Sequence, residues 1–169
     1  MGYKIHRHKE SDMQIRCVKW FRIQYPAFAR LLEHPKNEGN GDRVRGAIAK
    51  AEGVQAGVAD LILHLPSVSH YYNGELQEEP FTYHALAVEL KTKTGRQSQD
   101  QKIFQRYFEA AGGKYLVVRD FDDFTAKVNI YMCGVPYAVS EAVKSVYSEI
   151  EKEEADAAKA ELQRIINKA

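Results

Sequence analysis

Apolar residues recur along this chain in two rhythms, one of helices and one of strands. From about Glu10 to Leu32, Ile15, Val18, Trp20 and Phe21 stand at helical spacing, and Pro26 marks a break or a fresh start, so one or two helices are predicted. His34 to Gly41 reads as a loop, after which Asp42 caps a short helix through Ala51 that Gly53 ends. The rhythm then changes. Val58 to Leu65 and Thr82 to Lys91 are apolar runs of strand length, predicted as antiparallel neighbours, with a polar, tyrosine-rich insertion from Pro66 to Pro80 between them. Ser98 with Gln101 three residues on forms a capping box. The helix it opens carries Ile103, Phe104, Tyr107, Phe108 and Ala111 as its apolar stripe and stops at Gly112-Gly113. Lys114 to Arg119 is a third strand, and a strand, helix, strand order of this length implies a parallel pair. Asp120 or Asp122 caps a helix with Phe124, Val128 and Tyr131, Gly134 to Tyr137 turns the chain, and Ser140 to Ala169 is one long helical pattern, solvated around Glu153 to Lys159.

Within that pattern three side chains are chemically expensive. Asp60 heads the first apolar run, and Glu89 and Lys91 stand two apart in the second. Successive strand residues point to opposite faces, so Glu89 and Lys91 project together while Val88 and Leu90 enter the other layer. Burying either charge alone costs several kcal/mol, so the pair needs each other, Asp60 or a metal as compensation. A buried ion pair and a functional site both fit these residues taken alone.

Composition adds bounds. The chain has 169 residues, enough for one sizeable core, and no linker-like segment. Its 24 Lys and Arg against 23 Asp and Glu leave a formal net charge of +1, so attraction to a polyanion must come from a local patch. Such a patch is available in Lys91, Lys93, Arg96, Lys102 and Arg106, which taken alone also fits an ordinary solvated face. Cys17 and Cys133 lack metal-ligand spacing and are expected as buried free thiols in a reducing cytoplasm. No apolar stretch reaches bilayer-spanning length, and residues 1 to 12 lack the apolar core of a signal peptide. The six histidines show no ligand pattern and read as surface or strand residues.

Four blocks carry a family resemblance: Gly57-Val58-Ala59-Asp60, Val88-Glu89-Leu90-Lys91, Gly95-Arg96-Gln97-Ser98-Gln99-Asp100-Gln101, and Gly112-Gly113-Lys114-Tyr115-Leu116-Val117-Val118-Arg119. In order and spacing they resemble the VRR-NUC branch of the PD-(D/E)xK nucleases. Upstream, Glu10 four residues before Gln14 and the Asn/Gly-rich stretch from Asn37 to Arg43 agree as well. The resemblance spans about residues 8 to 132. Ala59 departs from it by standing where proline is usual, and the Ser67 to Thr82 insertion by its length.

What the resemblance implies is an α/β fold with a restriction-endonuclease-like core, a small mixed β-sheet flanked by helices, plus a long C-terminal helix. Residues 1–135 would be the nuclease domain and 136–169 a helical extension of it. The implied activity is metal-dependent hydrolysis of DNA phosphodiester bonds. Asp60, Glu89 and the Leu90 backbone carbonyl would hold Mg²⁺ or Mn²⁺, with Glu10 as an additional ligand, and hard oxygen donors suit these ions. Lys91 would orient or deprotonate the attacking water or steady the phosphate. Gln101 is open between a capping role and a site-facing one. Gln14, Arg43, Lys93, Arg96, Ser98 and Lys102 would contact DNA. The absence of accessory domains points to the stand-alone, phage-associated kind, intracellular homodimers acting on branched DNA such as Holliday junctions. The alternatives are a flap or sequence-specific nuclease with the same metal site, and a non-cleaving nucleic-acid-binding module.

Overall fold

The computed structural model describes residues 9–35, 43–72 and 75–167. In chain order its elements are α1 (Lys9–Gln24), a 3-10 helix (Pro26–Leu31), β1 (Leu32–Glu33), α2 (Arg43–Ala51), β2 (Leu61–Leu63), β3 (Ser67–Tyr72), β4 (Glu75–Tyr83), β5 (Leu86–Leu90), α3 (Gln99–Ala110), β6 (Lys114–Val118), α4 (Phe121–Cys133) and α5 (Tyr137–Ile166). Four strands form a mixed sheet in the order β1-β2-β5-β6. β1 and β5 lie antiparallel to β2, and β6 runs parallel to β5, as the intervening α3 requires.

Alternation along the strands sorts the side chains into two layers. Leu61, Leu63, Leu86, Val88, Leu90 and Val118 face one side, where Cys17 and Phe21 of α1 and Phe124, Val128 and Tyr131 of α4 complete the main core. Ala87 and Tyr115 face the other side and pack with Ala59 against Phe104 and Phe108 of α3. Glu89, two residues beyond Ala87, therefore belongs to the α3 layer. All five residues of β5 are buried, so the carboxylate is delivered into the middle of the molecule.

Two close approaches fix α3 over that layer. The capping box forms as expected: the Ser98 hydroxyl accepts from the Gln101 amide, and the Gln101 side chain accepts from the Ser98 amide. The helix start then rests on Gly57, whose φ is +79° and whose missing Cβ would stand 2.3 Å from the Asp100 carbonyl carbon. Only glycine fits both the backbone angle and the space. At the far end Phe108 lies against Gly113 and stacks on Phe104 at 5.6 Å. Ile103 and Tyr107, expected in the buried stripe, are instead exposed, Tyr107 at 76%, because the narrow layer over β5 and β6 admits only Phe104 and Phe108.

Other expectations need correction. The Pro66 to Pro80 insertion is an antiparallel hairpin, β3 with β4. The apolar run from Thr82 to Lys91 is accordingly not one strand: its start belongs to β4, and the chain leaves the hairpin at His84 and Ala85 to begin β5. The hairpin docks on the end of α4, where the Val68 amide donates to the Gly134 carbonyl at 2.7 Å and the Ser67 hydroxyl to the Tyr131 carbonyl at 2.7 Å. β1 is a short edge strand that the sequence pattern did not suggest, and the first run shortens to Leu61–Leu63. Cys133 is exposed rather than buried. α5 begins at Tyr137, before the expected Ser140. Val139 and Val143 pack on the core, whereas residues 151–165 are exposed. The cap expected at Asp42 lies outside the described residues.

Candidate active site

The three singled-out side chains meet at the C-terminal end of β5. Extending the β2–β5 register by one residue, from Leu61 opposite Val88, sets Asp60 opposite Glu89. Asp60 sits in the bend before β2, half-buried, and its Oδ2 accepts from the Leu90 amide at 2.7 Å. The Asp60 backbone carbonyl accepts from His34 Nδ1 at 2.6 Å, so the ring nitrogen facing it carries the hydrogen.

Glu89 is completely buried and held by three donors. Lys91 Nζ stands 2.6 Å from Oε1, Gln101 Nε2 donates to the same oxygen, and the Tyr115 hydroxyl donates to Oε2 at 3.2 Å. These use three of the roughly four lone-pair positions of a carboxylate. Gln101 thus joins both roles that the sequence left open, since its side-chain oxygen caps α3 while its nitrogen holds Glu89.

Both carboxyls are pushed above their usual range. For Asp60 burial is the largest cause, opposed by the Leu90 amide and Lys91 and reinforced by the charge of Glu10. For Glu89 burial again dominates, Lys91 opposes it, and the charge of Asp60 adds to it. Tyr115 is pushed up by burial and by Glu89, which keeps its hydroxyl protonated as a donor. Asp60 and Glu89 thus carry adjoining negative charge, and Lys91 is the cation that opposes it at both.

Glu10 arrives from α1, where its Oε1 accepts from the Thr92 amide at 3.1 Å, directly after Lys91. Gln14 lies one turn along α1, beside a surface groove that Lys19 and Arg22 also line. Lys93, Arg96, Ser98 and Lys102 are exposed on the segment from the end of β5 into α3. Arg43 starts α2, but its side chain lies outside the described residues. Arg119 braces the segment from below, donating through one guanidinium nitrogen to the carbonyls of Thr92, Lys93 and Gly95.

The donor set suits a hard divalent cation. Among the described residues no three His, Cys, Asp or Glu side chains are grouped closely enough to hold a metal by themselves. Mg²⁺ does not require that, since it keeps several waters and binds through one or two carboxylates. Asp60 and Glu89 are two carboxylates that would suit such an ion, in surroundings where their mutual repulsion would be relieved by a cation. A backbone oxygen is also available: the Lys91 amide donates to Val118 on β6, so across their trans peptide the Leu90 carbonyl points away from β6, to the side where the Leu90 amide meets Asp60.

The VRR-NUC domain family model matches residues 3–121. The chain belongs to the VRR-NUC family. A solved structure described as a VRR_NUC domain protein superposes with a TM-score of 0.59 at 19% identity, covering 75% of this chain and 89% of that one, which establishes the shared fold. No curated protein sequence matches the chain. A VRR-NUC domain is a nuclease domain, so this chain has the α/β nuclease-type architecture expected from its sequence, and its family acts on DNA, generally with divalent metals. Among the described residues no helix is long and apolar enough to cross a membrane.

Sequence reasoning missed three residues that meet the candidate site. Tyr115 escaped because only the β5–β6 register, Ala87 opposite Tyr115, reveals that its ring lies on the Glu89 face. Arg119 acts through backbone carbonyls, which leave no trace in a motif. His34 read as a surface residue, yet it touches the Asp60 backbone; the adjoining Glu33, paired with His64 at 3.0 Å on the strand edge, gives no hint of it.

Proposed function

We propose that this VRR-NUC protein is a Mg²⁺- or Mn²⁺-dependent endodeoxyribonuclease that cuts branched DNA such as Holliday junctions, working inside the cell as a homodimer. The observation that supports this most is the convergence of Asp60, Glu89 and Lys91 at the end of β5, with both carboxyls pushed upward by burial and by neighbouring acids. Asp60, Glu89 and the Leu90 carbonyl hold the metal, and Glu10 adds a ligand directly or through water. When bound, the ion lowers the pKa of a coordinated water and stabilises charge on the phosphoryl oxygens. Lys91 holds the attacking water or the phosphate, Gln101 and Tyr115 fix the Glu89 carboxylate, and the start of α3 at Ser98 offers backbone amides to phosphate. Lys93, Arg96 and Lys102, with Gln14 and Arg43, carry the DNA backbone.

The homodimer reading draws on α5. In its exposed half Ala155, Ala158, Leu162 and Ile165 share one face, Glu151, Glu153, Glu154 and Asp156 against Lys152 make the beginning acidic, and Lys159 and Arg164 against Glu161 leave the end weakly basic. Two copies packed antiparallel would cover the apolar faces and set acidic against basic ends. Residues 136–169 are thus an extension of the nuclease domain that pairs two active sites, as a junction with two strands to cut requires.

The test is a labelled panel of Holliday junction, flap, splayed arm, linear duplex and single strand, with Mg²⁺ or Mn²⁺. Paired symmetric cuts in the junction, lost in EDTA, are expected. Preferred cutting of the flap or of one duplex sequence would replace the junction reading, and no cutting of any substrate by folded protein would leave a binding module. Light scattering giving a monomer at concentrations where cutting occurs would remove the α5 pairing.

A further inference from the structure

A cavity of about 660 Å³ lies between the hairpin and the outer side of β6 and α4. That is the size of a small-molecule site. Its walls are apolar and aromatic: Val68 and Tyr71 from β3, Tyr83 from β4, Leu116 from β6 and Ile130 from α4. Tyr71 and Ile130 remain 59% and 75% exposed. Two lysines, Lys114 and Lys127, reach the cavity, and no Asp or Glu is among its lining residues. Lys127 is held by Asp123 at 2.8 Å. Lys114 stands 5.0 Å above the Tyr83 ring and donates to the Tyr83 hydroxyl, contacts that leave its positive charge effective within the cavity.

This cavity is separate from the acidic centre. Lys114 and Leu116 alternate with Tyr115 and Val117, which face α3, so the cavity opens on the opposite face of the sheet from Glu89. Lys114 pairs with Leu86 and Val117 with Glu89, a separation of about 10 Å along the strand.

We propose that the cavity binds a nucleotide, its base among the tyrosine rings and apolar walls and its phosphate at Lys114. A purely apolar ligand would leave Lys114 desolvated without a counter-charge, and a bare anion would leave the aromatic walls wet. A flat ring joined to a negative charge satisfies both. The nucleotide comes either free from solution or as an unpaired nucleotide of DNA. The second source rests on the nuclease reading, and the first does not.

The chain carries its own probe. Cys133 lines the cavity and is exposed, whereas Cys17 is buried and burial pushes its thiol up to about 11, so a thiol reagent reads Cys133 alone. In the full-length protein in EDTA, dAMP is expected to slow Cys133 modification several-fold, while deoxyadenosine and inorganic phosphate at the same concentration slow it far less. Lys114→Gln keeps a donor for Tyr83 and should weaken protection on the order of tenfold, and Tyr71→Ala, at an exposed position, should weaken it as well. Protection by duplex DNA with one extrahelical nucleotide, but not by perfect duplex, assigns the site to the DNA substrate, and protection by dAMP alone assigns it to a free nucleotide. No protection by either, or equal protection by inorganic phosphate or perfect duplex, overturns the proposal. Because cutting plays no part in the assay, a failure here is distinguishable from a failure of the nuclease reading.

Discussion

Replacing Lys91 with methionine removes one charge and keeps most of the side-chain volume, which isolates the electrostatic half of the Glu89–Lys91 pair. Lys91 is 12% exposed and Glu89 0%, so solvent screens the pair little. Removing one partner of such a pair costs about 3–5 kcal/mol, because the other charge is left buried. Gln101 and Tyr115 still donate to Glu89, each bond contributing about 1 kcal/mol, so the expected loss is roughly 1–3 kcal/mol. In a chain of this length that is roughly 2–12 °C in Tm. The loss depends on pH. The folded-state pKa of Glu89 already lies above its ordinary value of 4.5, and removing Lys91 raises it further. Across that window the folded state binds protons that the unfolded state does not, so stability falls as pH rises. The deficit of Lys91→Met should therefore be largest near neutral pH and shrink as pH falls through the folded-state value. Joining Lys91→Met to Glu89→Gln removes both charges and should recover most of the stability. Urea unfolding in EDTA at about pH 7.5 and pH 5 reads all of this. A single variant as stable as the parent at neutral pH, or a deficit equal at the two pH values, would refute the claim that a desolvated ion pair occupies the end of β5.

Four further outcomes follow from the same geometry. Mg²⁺ at about ten times its dissociation constant should stabilise the protein by about 1.4 kcal/mol, and Asp60→Asn, which keeps an acceptor for the Leu90 amide, should abolish that gain in thermal unfolding. Metal must displace protons from two carboxyls with raised pKa values, so its affinity, measured by calorimetry, should weaken on acidification at a higher pH than for ordinary carboxylates. Tyr115→Phe removes a buried donor to Glu89 and should cost about 1 kcal/mol in urea unfolding while slowing cleavage more than it weakens DNA binding. Gly57→Ala drives a Cβ into the start of α3 at a positive φ and should cost about 2 kcal/mol or more, with lowered cleavage because α3 carries Gln101; unchanged unfolding would contradict the close approach.

The parts of this molecule that were legible in the sequence are those governed by local rules. Ser98 and Gln101 announce the start of α3 because a capping box is a contact between residues three apart. Asp60, Glu89 and Lys91 stand out because charge inside an apolar run demands compensation wherever the strand lies. The hairpin stayed hidden because β4 reads as a polar run: its burial alternates weakly, and its strands pair with each other on the α4 end rather than in the main sheet. Ile103 and Tyr107 were misassigned because helical spacing defines a stripe but not the width of the layer that receives it. Cys133 lies at the last position of α4, where the helix has run past the core it covers. Tyr115 and Arg119 required the register of β5 on β6 and the path of the Thr92 to Gly95 segment, both properties of long-range pairing.

The most direct test of the central claim, that Asp60 and Glu89 together form a metal centre, is Mn²⁺ binding followed by electron paramagnetic resonance in the intact protein and in Asp60→Asn. The account predicts Mn²⁺ bound by the intact protein, competed by Mg²⁺, and a loss of at least tenfold in affinity in the folded variant. Equal Mn²⁺ binding by the two proteins, or none by either, would contradict it and return Glu89 and Lys91 to the role of a buried ion pair.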